Sequence, residues 1–328
     1  MKKFKQIVSS SLVAFVTMMS LAGCQTEAPE NKETTEQTQT PVEQAQNSDA
    51  TSSKMVDREG NEFEAPVSIE RILSTAPSNT EVLIALGLAD NLVGVDKYST
   101  DIEGIPADAE VIDFRNPDSE AIIEMQPDII IASGHNKVGD EDPYALLKEA
   151  GITVVYIPSS DSIEGIYEDI AFIADVTNKE TEGQELIDEM KQEVAAIKAV
   201  GDTITDKKTV YFEIGSSSKL YSFGHSTFIN ELIETVGATN ILADEEGWIS
   251  PSEEAVITAN PDVILTNETY LDNATQLIKE RAGFETITAV ENDAIYLIDK
   301  NASSRGSQNV IKALKEIAQA VYPEYYAN

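Results

Sequence analysis

Few side chains in this 328-residue sequence could carry covalent or metal chemistry. There are two histidines, His135 and His225, and one cysteine, Cys24. A bare Zn²⁺ or Mn²⁺ site normally takes three or four ligands, so the histidine supply argues against one. No Gly-x-Ser-x-Gly elbow, zinc-binding His pair or glycine-rich phosphate loop occurs. The run Ser216, Ser217, Ser218 has no marked base beside it. The patterned residues are instead two glutamates. Glu120 opens EAIIEMQPDIII and Glu254 opens EAVITANPDVIL, 134 positions later, with Pro127 and Pro261 at the same separation. An echo of this length at fixed spacing marks a duplicated unit.

Each copy reads as a short helix, then a proline that cannot continue it, then an aliphatic run. Ile129-Ile130-Ile131 and Val263-Ile264-Leu265 lack polar alternation, as strands of a parallel sheet covered on both faces do. A helix that returns to a parallel strand runs antiparallel to it. Its N-terminus therefore lies near the carboxyl edge of the sheet, where open α/β folds bind ligands. Glu120 and Glu254 are thus expected on the rim of one cleft, one per half. They would also complement helix N-termini, with Asp118 and Ser252 as caps.

The surrounding elements repeat in order. Arg71 to Ser74 predicts a strand, Asn79 or Thr80 a cap for a helix through Leu86, and Leu92 to Val95 the next strand. In the second half Val210 to Ile214 predicts a strand and Thr227 to Val236 a helix closed by Gly237. Between the halves Leu186, Ile187, Met190, Val194 and Ile197 form one amphipathic stripe. The fold class is α/β: two lobes, each with a mainly parallel sheet flanked by helices, joined by one long helix. The expected boundaries are a leader over 1–24, a tether over 25–54, lobes over 55–179 and 202–328, and a linking helix over 180–201. A hairpin turning at Gly60 opens the body, and a last helix runs from Gln308 to Val321.

Acidic residues outnumber basic ones 58 to 23, a net charge of −35 that argues against nucleic-acid binding. Residues 1–24 carry Lys2, Lys3 and Lys5, an apolar stretch and Leu21-Ala22-Gly23-Cys24, which resembles a bacterial lipobox. Lipid on Cys24 would anchor the chain outside the cytoplasm, on the cell membrane. The polar stretch that follows cannot bury enough apolar surface to fold, which makes it a tether.

Taken together, Arg71-Ile72-Leu73-Ser74-Thr75-Ala76-Pro77-Ser78-Asn79-Thr80-Glu81, Leu86-Gly87-Leu88, Val93-Gly94-Val95, Gly237 to Ile241, Trp248 to Glu254 and both Pro-Asp units carry a resemblance. Residues 55–326 resemble the cobalamin and ferric-siderophore substrate-binding proteins of ABC importers. The resemblance implies a monomeric receptor with no enzyme activity and no cofactor of its own. Its ligand, a corrinoid or ferric siderophore, would carry cobalt or iron. The partners implied are a permease dimer with its ATPase, docked through Glu120 and Glu254. Positions matching the family's cleft aromatics are Tyr98, Phe114, Tyr221 and Trp248. Arg305 falls where the family contacts ligand or the opposite lobe. Lys97, Arg115, Lys219 and Lys300 also fall near cleft loops and keep an anionic siderophore in view. A haem receptor of the same architecture is the alternative, with His135 and His225 as ligands from opposite lobes. A surface-anchored hydrolase or a peptide-binding or adhesive lipoprotein are the rival classes.

Overall fold

A computed structural model describes residues 53–136, 142–216, 218–271 and 273–326. The leader, Cys24 and the tether up to residue 52 lie outside the described residues, as does Ser217. Lys54, expected to end the tether, already belongs to a strand, because it pairs with Glu64 across the opening hairpin. That hairpin is β1 (Lys54–Val56) and β2 (Glu62–Glu64), turning at Gly60 with φ +87°.

The first lobe then alternates strand and helix: β3 (Ile72–Ser74), α1 (Pro77–Ala85), β4 (Leu92–Asp96), β5 (Glu110–Ile112), α2 (Ser119–Met125), β6 (Ile129–Ser133), α3 (Ala145–Glu149), β7 (Thr153–Ile157) and α4 (Ile163–Val176). Its five strands pair in the order β5-β4-β3-β6-β7, all parallel. The linking helix α5 (Glu180–Gly201) has 22 residues, about 33 Å at 1.5 Å per residue.

The second lobe comprises β8 (Thr209–Glu213), β9 (Ser222–Phe223), α6 (Phe228–Thr235), β10 (Thr239–Asn240), β11 (Trp248–Ile249), α7 (Glu253–Ala259), β12 (Val263–Thr266), α8 (Ala274–Lys279), α9 (Thr288–Glu291), β13 (Ile295–Leu297), α10 (Lys300–Ser304), α11 (Val310–Val321) and α12 (Pro323–Tyr326). Its main sheet is parallel, in the order β10-β8-β12-β13, while β9 and β11 form a separate antiparallel pair.

The repeated unit keeps the same roles for its cap, its left-handed stop and its aspartate clamp, though the individual hydrogen bonds differ. Asp118 caps α2 by accepting from the N–H groups of Glu120 and Ala121, and the Ser252 hydroxyl caps α7 through Ala255 N–H. Both helices end one residue before the proline, at Gln126 and Asn260, in left-handed backbone with φ 49° and 47°. The following aspartate then grips the first strand of its lobe. Asp128 Oδ2 accepts from the N–H groups of Glu70 and Arg71 at 2.8 and 2.9 Å. Asp262 Oδ2 accepts from the Thr209 N–H and hydroxyl, both at 2.8 Å. Each aspartate N–H donates back to that strand, to Arg71 O and Thr209 O. The Pro-Asp pair thus sets the register of β6 on β3 and of β12 on β8.

One expectation shifts. Asn79 and Thr80 do not cap α1; the helix starts earlier, with Pro77 at its first position, where the fixed φ suits a helix and the missing N–H costs nothing. Thr80 is instead buried, donating to Ser74 Oγ at 2.8 Å.

The apolar interior is divided unequally. One cluster fills the outer face of each sheet, around Ile130 and Tyr144 in the first lobe and around Ile264 and Phe284 in the second. The third is continuous through both lobes, joining Ile72 and Leu83 to Phe212 and Leu232 by way of Ile170 and Met190 on α4 and α5. The linking helix meets α6 closely: a methyl at Gly201 would stand 2.4 Å from the Thr235 carbonyl oxygen. A shared core of this extent resists independent swinging of the lobes.

Candidate functional site

Every strand of the first sheet sends its carboxyl-terminal loop to one cavity of about 470 Å³. Thr75 to Asn79 follow β3, Tyr98 follows β4, Phe114 and Arg115 follow β5, Ser133 to Asn136 end β6, and Ile157 to Asp161 end β7. The second lobe closes the cavity with Ser226, Thr227, Phe228, Trp248 and Ser304 to Gly306. The volume lies within the range of ordinary small-molecule sites.

Local chemistry fixes these walls. The buried Asp96 accepts from Tyr98 N–H at 2.8 Å and from the Ser99 hydroxyl, which fastens the turn that carries Tyr98. Burial drives the Asp96 pKa above its ordinary value, against the pull of those two hydrogen bonds. Tyr98 is 50 % exposed and meets the buried Phe114 at a centroid distance of 6.0 Å. Across the cleft Trp248 is 60 % exposed, its ring packed edge-on against Phe223. Pairing of β11 with β9 holds it there. Two half-exposed aromatic side chains therefore line the groove, one from each lobe.

Arg305 also lines the cavity, yet its guanidinium is spent on the opposite lobe. Nη1 donates to Glu81 at 2.7 Å, and Nη2 donates to Asp101 at 2.9 Å and to the Tyr98 carbonyl at 3.1 Å. The Ser307 hydroxyl donates to the other Glu81 oxygen, and Asn301 donates to Asp101 at 2.8 Å. Burial pulls the Arg305 pKa down, but the carboxylates of Glu81 and Asp101 more than offset this and the net shift is upward. A second interlobe bond runs from Ile163 N–H, at the start of α4, to Glu231 on α6 at 2.7 Å.

Other expected residues separate. Tyr221 lies outside the cavity lining: its N–H and carbonyl are tied back to Gly215 and Ile214, and its ring lies under the Lys219 ammonium. His225 is also outside, because its backbone is held by Glu245 and Gly247. His135 is in the cleft, with Nδ1 2.7 Å from Ser159 Oγ. The two histidines therefore do not converge on one ligand. Among the described residues no carboxylate bonds to His135, so the Ser159–His135 contact lacks the orienting acid of a hydrolase triad. No group of three or more His, Cys, Asp or Glu among the described residues is placed to hold a metal ion. Lys97 pairs with Asp113 at 2.9 Å, whereas Arg115 lines the cleft beside the Phe114 ring without an ion pair among the described residues.

Glu120 and Glu254 are exposed at the second position of α2 and α7. Neither forms a salt bridge among the described residues. Sequence reasoning missed Phe228 and the Pro158 to Asp161 turn. The turn had a readable signal, since Thr153-Val154-Val155-Tyr156-Ile157 is an apolar run that stops at a proline.

Two α/β lobes bridged by a single long helix, with a cleft at the carboxyl edges of both sheets, are the architecture of a binding protein. The family model described as "Periplasmic binding protein" matches residues 72–302, and the chain belongs to this family. It is 30 % identical to an uncharacterized ABC transporter substrate-binding lipoprotein, YvrC, of Bacillus subtilis, over 99 % of both chains. It is 28 % identical to a cobalamin-binding protein of Halobacterium salinarum, over 77 % of this chain and 69 % of that one. A solved Staphylococcus epidermidis structure, described as a possible iron-binding (periplasmic solute-binding) protein, superposes with a TM-score of 0.70 at 32 % identity. It covers 78 % of this chain and 99 % of that one.

Proposed function

We propose that this protein is the extracytoplasmic receptor of an ABC importer, held to the membrane by lipid on Cys24, and that it carries a corrinoid to the permease without chemical change. The observation behind the ligand class is the cleft itself. Tyr98 and Trp248 bring half-exposed aromatic rings into the cleft from opposite lobes, which suits a flat macrocycle with apolar faces. A ferric siderophore with several negative charges would want a cationic lining. Here Arg305 is neutralised by Glu81 and Asp101, which leaves Arg115 as the unpaired cation among the described lining residues. The names of the Bacillus and Halobacterium relatives agree with transport and with cobalamin. Glu120 and Glu254 serve as docking points, one per lobe, contributing more to orientation and on-rate than to affinity.

The test is a titration of Trp248, the one tryptophan, by fluorescence. Cobalamin is expected to quench it at micromolar or lower concentration, with haemin and a panel of ferric siderophores weaker. Quenching by a siderophore alone would overturn the ligand class.

A further inference from the structure

Trp248 and Ser304 line a second cavity as well as the main cleft. It holds about 180 Å³ and is walled by Ile214, Ile229, Asn267, Glu268, Tyr270 and Lys300. Tyr270 is 81 % exposed, and the Lys300 ammonium lies 3.5 Å from its ring centroid. Lys300 forms no ion pair among the described residues, although acidic groups exceed basic ones 58 to 23 in this chain. The buried Asn267 is oriented by giving its Nδ2 to Ser303 and Ser304 at 2.9 and 3.1 Å. Glu268, the one carboxylate in the lining, accepts the Tyr270 N–H at 3.1 Å and so shapes the loop that presents that ring.

We propose that this compartment is a second ligand subsite, reached over the edge of Trp248, that receives an anionic arm of a ligand whose flat body occupies the main cleft. This rests on the tetrapyrrole-like ligand proposed above. The Lys300 ammonium is the counter-ion, held by a ring face rather than neutralised by a carboxylate, and so keeps its charge for the ligand. Tyr270 supplies an apolar floor for whatever the anionic group carries beyond it. Two arms share this chemistry: the phosphodiester of a corrinoid nucleotide loop and the carboxylate of a porphyrin side chain. The half-exposed setting limits the charge interaction to about a five- to tenfold effect on Kd.

Lys300→Gln and Tyr270→Ala are compared with the unaltered full chain by Trp248 fluorescence. The probes are cobalamin against cobinamide, which lacks the nucleotide loop, and haemin against its dimethyl ester. Lys219→Gln, a lysine outside both cavities, is the control. The proposal expects both variants to weaken cobalamin about five- to tenfold, with cobinamide within twofold of the unaltered chain. The same selective loss for haemin over its ester would assign the arm to a carboxylate. Equal losses within each pair, or no loss, would overturn the subsite while tight cobalamin binding leaves the ligand class standing. An unaltered chain that binds none of the four probes overturns the ligand class and the subsite together.

Discussion

Replacement of Arg305 by alanine separates two roles that one cleft residue could have. If the guanidinium exists to hold the lobes together, its removal strands Glu81, which is 5 % exposed and retains only the Ser307 hydroxyl against its charge. Breaking one side of a buried, hydrogen-bonded ion pair costs about 3–5 kcal/mol, most of it the desolvated charge left behind. The half-exposed Asp101 adds under about 1 kcal/mol. The lower end, about 3 kcal/mol, is the better figure, since Glu81 sits at a lobe boundary where water can enter. With a urea m-value of about 2–3 kcal/mol/M, the unfolding midpoint should fall by about 1 M. Glu81→Gln leaves the Arg305 guanidinium still paired with Asp101 and should cost less, and adding it to Arg305→Ala should recover part of the loss. Ligand Kd, measured on the folded protein well below the midpoint, should change by less than about threefold. A stability loss below about 1 kcal/mol, together with a tenfold or larger loss of affinity, would refute the latch and make Arg305 a ligand contact.

Two further outcomes follow from the geometry. Asp128→Ala frees two exposed N–H donors just before β3, and Asp262→Ala two half-buried donors on β8; each should cost about 1–2 kcal/mol by urea unfolding. Similar costs would mark equivalent clamps, and a silent Asp262→Ala would deny the duplication its structural role. Burial opposes, but the Arg305 and Asn301 hydrogen bonds outweigh it and hold the Asp101 carboxyl below its ordinary value of 3.8. Its stabilising contribution is therefore complete above 3.8 and lost as pH falls through the lower folded value. The stability gap between the unaltered chain and Asp101→Asn should close below pH 4; a gap that widens there would contradict this pairing.

The sequence was most legible where chemistry is local. Glu120, Pro127 and Asp128 recur as Glu254, Pro261 and Asp262, and helix, cap, break and strand all lie within a dozen residues of one another. The linking helix was legible for the same reason, since its apolar stripe is complete in itself. The site was only partly readable because its walls meet across long stretches of chain. Arg305 finds Glu81 some 224 positions away, and no local pattern announces that partner. Tyr221 and Trp248 looked equivalent as aromatics after strands. The pairing of β9 with β11 presents Trp248 to the cleft, and the bonds to Gly215 and Ile214 draw Tyr221 back onto its own lobe. Phe228 falls inside the helix that the sequence predicts over Thr227 to Val236, and no local pattern shows that the start of this helix borders the cleft.

In the docking role proposed for Glu120 and Glu254, a two-lobed receptor hands its ligand to the permease through one exposed acidic contact per lobe. The most direct measurement of that role compares ligand affinity and cellular uptake in the Glu120→Ala, Glu254→Ala double variant. Unchanged Kd by Trp248 quenching together with loss of uptake is expected. Normal uptake by the double variant, or a collapse of ligand affinity in it, would rule out that docking role.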